Sequence, residues 1–234
     1  MRLYIIRHAE PDYKNHTITE YGHEQAKALA RKLDKEGITK IYCSPLGRAI
    51  DTMKYTADLM KIKPEILEWT QEIPRMPITN DNIEDCPAWN LPGEVIFEES
   101  SYLTLEDWHN LPIIKDVKAR EKFTEIQEES DMFLKQLGYE RVGNKYRILN
   151  SNTEKVAVFC HGGFGRTWIA HLLNIPLPMF WASFFIKTSS VTTILFEERS
   201  EEWAVPRCIG FGDTSHLYEA GIECSFTGLA GNFY

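Results

Sequence analysis

The sequence predicts a three-layer α/β/α sandwich with a mostly parallel central sheet and an inserted lid, in one domain spanning residues 1–234. Three observations lead there. Two apolar runs, residues 3–6 and 156–159, are long enough for strands buried on both faces, as the inner strands of a parallel sheet are. Apolar positions at helical spacing recur at 26–33, 50–60 and 123–137, which gives helices one face each to lay on that sheet. The chain's 234 residues, 43% of them hydrophobic, suit one α/β domain carrying a sizeable insertion.

In chain order, the first run ends abruptly in Arg7-His8, and ligands of open α/β sheets gather beyond the carboxyl ends of strands. Residues 10–18 read as a polar loop. Thr19 then suits a helix N-cap, with Glu20 in the first turn. Ala26, Leu29, Ala30 and Leu33 give that helix its buried face, and Gly37 ends it. Ile41-Tyr42-Cys43 is a short strand. Ser44-Pro45 is expected to open the next helix as cap and first-turn proline, with Ile50, Met53, Ala57 and Met60 facing inward. Arg48 then lies in its first turn, at the same sheet edge as His8 if the sheet is parallel. From Pro74 the texture changes: Pro77, Pro87, Pro92 and Pro112 interrupt any period. Residues 74–117 are therefore expected to form a cap or lid, with short helices near 94–99 and 104–110, either controlling substrate access or simply packing.

Phe123, Ile126, Ser130, Phe133, Leu134 and Leu137 line one face of a helix over 117–137, which Gly138 stops; its acidic cluster reads as a solvated face. Residues 146–149 and 156–159 are expected to be strands joined as a hairpin through the polar turn 150–155. The second strand delivers His161 to the same edge as His8, and a helix follows over 163–173. Residues 191–196, rich in β-branched side chains, form another strand. Residues 203–234 read as irregular, with no assigned chemistry.

A net charge of -8 argues against a general nucleic-acid or anionic-membrane surface. An acidic chain that binds phosphate must concentrate positive charge locally, which singles out Arg7 and Arg48. No apolar run reaches membrane-spanning length, and the N-terminus lacks a signal-peptide pattern, so the expectation is a soluble cytoplasmic protein. The five cysteines are odd in number and widely spaced, with no Cys-x-x-Cys pair, and read as free thiols in a reducing compartment.

Two strand-end histidines beside an arginine predict an anion site for phosphate. The motifs sharpen this. Arg7-His8-Ala9-Glu10, Thr19-Glu20-Tyr21-Gly22, Ser44-Pro45-Leu46-Gly47-Arg48-Ala49 and Cys160-His161-Gly162-Gly163 followed by Arg166 resemble, in that order, the histidine phosphatase superfamily, the phosphoglycerate mutase-like proteins. Gly212-Asp213-Thr214-Ser215-His216-Leu217 is a weaker tail match. The resemblance implies that His8 is the nucleophile, forming a phosphohistidine that water cleaves, with its other ring nitrogen donating to a backbone carbonyl. It implies that Arg7, Arg48 and His161 hold the phosphoryl oxygens, while Gly162 lets the backbone approach them. It also implies a carboxyl acid at Glu72, with Glu68 as second choice.

No cofactor or metal is required, and the expected partner is a small phosphorylated substrate, with oligomeric state open. Ala9 and Glu10-Pro11-Asp12-Tyr13 depart from the mutase-like pattern, which favours a phosphatase over a mutase. Two other readings compete: a non-catalytic phosphate-binding protein, and a cysteine-dependent phosphatase, since Cys160 to Arg166-Thr167 fits a Cys-x5-Arg-Thr loop.

Overall fold

The computed structural model describes residues 1–226, 228 and 229. In chain order the elements begin with β1 (Arg2–Arg7), β2 (Pro11–Asp12), β3 (Thr17–Ile18), α1 (Glu20–Glu36), β4 (Lys40–Cys43), α2 (Gly47–Met60) and β5 (Glu65–Ile66). The middle of the chain supplies β6 (Pro77–Asn80), β7 (Ile83–Pro87), α3 (Gly93–Phe97) and α4 (Ala119–Gln136). Then come β8 (Tyr139–Val142), β9 (Lys145–Ile148), β10 (Lys155–Cys160), α5 (Gly162–Leu173), α6 (Leu177–Ser183), β11 (Val191–Glu198), β12 (Trp203–Asp213) and α7 (Ser215–Glu219).

The main sheet runs β5-β4-β10-β1-β11-β12-β9-β8. Its first four strands are parallel and the remaining four join antiparallel, so the parallel part is half the sheet. Two of the antiparallel pairs follow from connection length. β8 turns into β9 at Gly143-Asn144 and β11 into β12 through residues 199–202, too short for the crossover a parallel pair needs.

Alternation along the central strands makes the three layers. Leu3, Ile5, Val156 and Val158 face a core shared with α4 and α5, whereas Tyr4, Ile6, Ala157 and Phe159 face Leu29, Leu33, Met53 and Ala57 of α1 and α2. α1 is capped as its sequence predicts: Thr19 accepts from the Gly22 amide, and Gly37, at φ 73°, donates to Leu33 and Asp34.

Three expectations are corrected. α2 starts at Gly47, not at Ser44-Pro45, because the Ser44 hydroxyl is taken by His161 and Leu46 occupies the cap without a side-chain bond. A side chain at Gly47 would put its Cβ 2.1 Å from the His16 carbonyl oxygen, so glycine fixes that start. Residues 146–160 form no hairpin. β10, buried on both faces, lies between β4 and β1, while β9 pairs with β8 and β12 near the far edge. Residues 203–219 are not irregular: β12 runs to Asp213 and α7 follows, with Pro206 and two glycines masking the strand's alternation in sequence, while 227 and 230–234 lie outside the described residues.

Residues 74–117 hold the β6–β7 hairpin, α3 and isolated turns, including one at Trp108–Asn110. Ile78, Leu91, Ile96, Trp108 and Leu111 are buried in the same cluster as Trp168 and Phe180. The segment is thus packed into the core. Among the described residues the five cysteines are free, and no helix is long and apolar enough to cross a membrane.

Candidate active site

β1 and β10 are parallel neighbours with Arg7 opposite Cys160, so the next residue on each strand is a histidine. The His8 and His161 ring centroids lie 5.2 Å apart, close to the interstrand spacing, and the two residues are 1% and 0% exposed. The backbone of His8 is held on both sides, its amide donating to Cys160 O and its carbonyl accepting from the Ser189 amide. Its Nδ1 lies 2.7 Å from the Ala9 carbonyl oxygen. A carbonyl can only accept, so Nδ1 carries the proton and Nε2 keeps its lone pair. Burial, and next the Arg7 charge, hold the His8 pKa well below its ordinary value, so the ring is neutral at pH 7.

His161 is also kept neutral, by burial first and then by His8, Arg48 and Arg7. Its Nε2 lies 2.7 Å from Ser44 Oγ, while its Nδ1 is buried without a partner among the described residues. Arg48 Nε is a second buried nitrogen without one, and the Arg48 guanidinium sits 5.6 Å from the Tyr13 ring. Arg7 is anchored through Nη1 to the Ile186 carbonyl at 2.7 Å. Polar nitrogens buried without protein partners are rare.

Of the two acidic candidates, Glu72 is at the site and Glu68 is outside it, bonded to Gln71. Glu72 Oε1 accepts from the amides of Phe164 (2.7 Å) and Ile73 (3.1 Å), and Oε2 from Gly163 (3.1 Å). The carboxylate thereby caps the N-terminus of α5, which fixes its position. A Cβ at Gly163 would come within 2.8 Å of Glu72 Oε1.

Arg7, Arg48, Glu72 and Gly162 line one cavity of about 470 Å³. His8 and His161 are buried beside these residues and do not line it. The cavity has walls the sequence did not announce: Arg75 and Trp89 from the 74–117 segment, and Phe185. Arg166, given no role in the sequence, lines it as well. Ser44 was visible only as a helix cap, since its partner is 117 residues away. Cys160 is fully buried, and burial, then the Glu72 charge, push its thiol up, which suppresses the thiolate a cysteine mechanism needs.

A buried pair backs the site. His216, from the tail motif, bonds through Nε2 to Ser189 Oγ at 2.9 Å, and the Ser189 amide holds the His8 carbonyl. Burial, then Lys32, lower the His216 pKa to about 4. A folded-state pKa below the unfolded one means the fold favours neutral His216. Its stabilisation is fully present above about pH 6.5 and is lost as pH falls through about 4, roughly 3 kcal/mol in all. Urea midpoints should therefore drop across that window, and less steeply in His216→Asn. An unchanged slope in the variant would refute the assignment.

The geometry agrees with what the chain resembles among known proteins. A solved phosphoserine phosphatase from Entamoeba histolytica, in complex with 3-phosphoglyceric acid, matches with a TM-score of 0.61 at 22% identity, over 92% of this chain and 98% of that one. Mycobacterial glucosyl-3-phosphoglycerate phosphatase with inorganic phosphate gives 0.62 at 19% identity, over 92% and 98%. "Putative phosphoserine phosphatase 2" of Hydrogenobacter thermophilus is 22% identical over 205 residues, covering 84% of this chain and 90% of that protein. The family model of the histidine phosphatase superfamily (branch 1) matches residues 3–88 and 94–208, nearly the whole length over which strand ends, helix start and carboxylate converge, and the chain belongs to that superfamily.

Proposed function

We propose that the protein hydrolyses a small phosphate monoester through a phosphohistidine at His8. One observation carries this reading: the Nδ1 contact to Ala9, in a ring kept neutral by burial, leaves Nε2 as a ready nucleophile. In the first step Nε2 attacks phosphorus, the P–O ester bond breaks, and Glu72 gives a proton to the leaving oxygen. In the second, Glu72 takes a proton from water as the water oxygen attacks phosphorus. The P–N bond then breaks and inorganic phosphate departs. Arg7, Arg48 and His161 hold the non-bridging oxygens, the arginines through charge-assisted donors, and Gly162 leaves room for them. That Arg75 and Trp89 line the cavity supports a place for the 74–117 segment on its leaving-group side. The relatives are named phosphatases, which supports hydrolysis over return of the phosphoryl group to a second substrate.

Rapid-quench trapping of the phosphoenzyme is the test. A phosphoramidate survives base and breaks down in acid, and it should form unchanged in Cys160→Ala. An adduct lost in Cys160→Ala would move the nucleophile to the thiol. No adduct and no turnover would leave a phosphate-binding protein.

A further inference from the structure

We propose that Ser44 is a positioning residue for the phosphate site: its hydroxyl donates to Nε2 of His161 and thereby places the ring proton on Nδ1, free for a phosphoryl oxygen. The role presupposes the phosphatase reading above, in which His161 holds one of the non-bridging oxygens. A neutral imidazole carries a single N–H, and Ser44 Oγ, 2.7 Å away, already takes Nε2. A phosphoryl oxygen can therefore be met only at Nδ1, and only if Nδ1 bears the proton. A hydroxyl donates as readily as it accepts, so the distance alone is compatible with both tautomers.

Burial decides between them. Ser44 and His161 are both 0% exposed, so water cannot satisfy what the protein leaves unmet. Ser44 Oγ accepts from the Leu46 amide at 3.4 Å, and among the described residues its hydrogen has no acceptor other than His161 Nε2. If Nε2 carried the proton, the Ser44 hydrogen would be buried without an acceptor. The Nδ1 lone pair would be buried without a donor, and it would repel an incoming phosphoryl oxygen. If the hydroxyl donates, both of its roles are filled and only the Nδ1 N–H is left over. An anion's oxygen then supplies the partner that the protein does not. Burial, then His8, Arg48 and Arg7, keep the ring from taking a second proton.

The sheet explains how a residue 117 positions away comes to set this proton. β4 is parallel to β10, with Cys43 opposite Phe159, and the Ser44 amide donates to the Phe159 carbonyl. Strands β4, β10 and β1 are neighbours, and the residue that follows each is Ser44, His161 and His8 in turn. The two rings are thereby set with opposite polarity. The Ala9 carbonyl fixes the proton of His8 on Nδ1 and leaves a lone pair on Nε2, while Ser44 occupies the lone pair of His161 and leaves an N–H. Phosphorus needs the first and its oxygen needs the second.

NMR of the imidazole nitrogens, in protein isotope-labelled at histidine and saturated with inorganic phosphate, reads the tautomer directly. The His161 signals are the pair missing from His161→Asn. Nδ1 should be protonated and Nε2 bare. A protonated Nε2, whether alone or together with Nδ1, would overturn the proposal. Kinetics supply a second reading. Ser44→Ala should lower kcat/KM for p-nitrophenyl phosphate by about tenfold, the worth of one well-placed hydrogen bond, and Ser44→Thr, which keeps the hydroxyl, should recover part of it. In a His161→Ala background Ser44→Ala should cost nothing further. Wild-type turnover in Ser44→Ala, or the same loss in both backgrounds, would also overturn it. A Ser44→Ala that fails to fold leaves the wild-type spectrum to decide. Absence of turnover and of phosphoenzyme in the wild type would defeat the phosphatase reading instead, and the phosphate-bound spectrum would then judge Ser44 alone.

Discussion

Replacing His8 with alanine is expected to lower kcat for p-nitrophenyl phosphate by on the order of 10⁴ and to remove the acid-labile phosphoenzyme. The size of the effect follows from what no neighbour can supply. His161 is the nearest imidazole, but its Nε2 is engaged by Ser44 and its ring is fixed on the next strand. Cys160 is fully buried with a suppressed thiolate. Water would have to attack directly, stabilised only by the arginines. The His8 backbone is bonded to Cys160 and Ser189 whatever its side chain, so the variant should fold, which a thermal melt would verify. Turnover within about tenfold of wild type would place the nucleophile elsewhere.

Glu72→Gln carries the second large effect, and its signature is selective. Breaking an alkyl phosphate ester requires a proton on the leaving oxygen, whereas p-nitrophenolate departs without one. The variant should lose roughly 10²–10⁴ in kcat with an alkyl phosphate and much less with p-nitrophenyl phosphate. A glutamine amide also replaces one of the two acceptor oxygens, so a bond to the α5 amides is lost, costing about 0.5–2 kcal/mol of stability. Equal losses on both substrates, in proportion to the fall in stability, would make Glu72 a helix cap and nothing more.

The residues that were legible in sequence are those whose roles are local. A buried strand announces itself by composition, and the carboxyl ends of strands are where ligands of α/β sheets gather; Arg7, His8 and His161 were singled out this way, Gly162 by resemblance. The caps of α1 were legible for the same reason, Thr19 and Gly37 acting within a turn of themselves. Residues whose roles depend on distant chain were not. Ser44 looks like a helix cap until β4 and β10 are placed side by side. The 146–160 stretch looks like a hairpin because its two strands are close in sequence, yet burial on both faces sends β10 to the middle of the sheet. Arg75 and Trp89 sit in proline-broken chain with no period to place them. Glu72 came from resemblance alone, and the amides that hold it belong to residues 73, 163 and 164.

The pairing of β1 with β10 acts as a ruler. Backbone pairing fixes the spacing of the two strand ends, and the bonds of His8 to Ala9 and of His161 to Ser44 fix the rings upon it. One residue inserted into either strand would turn its histidine to the opposite face. The cavity wall formed by Arg75 and Trp89, by contrast, belongs to residues 75–90, between β5 and α4, outside the strands that carry the two histidines. Evolution can therefore rewrite what is cleaved while leaving untouched how it is cleaved, and exchanging 75–90 between relatives should transfer substrate preference without transferring catalysis.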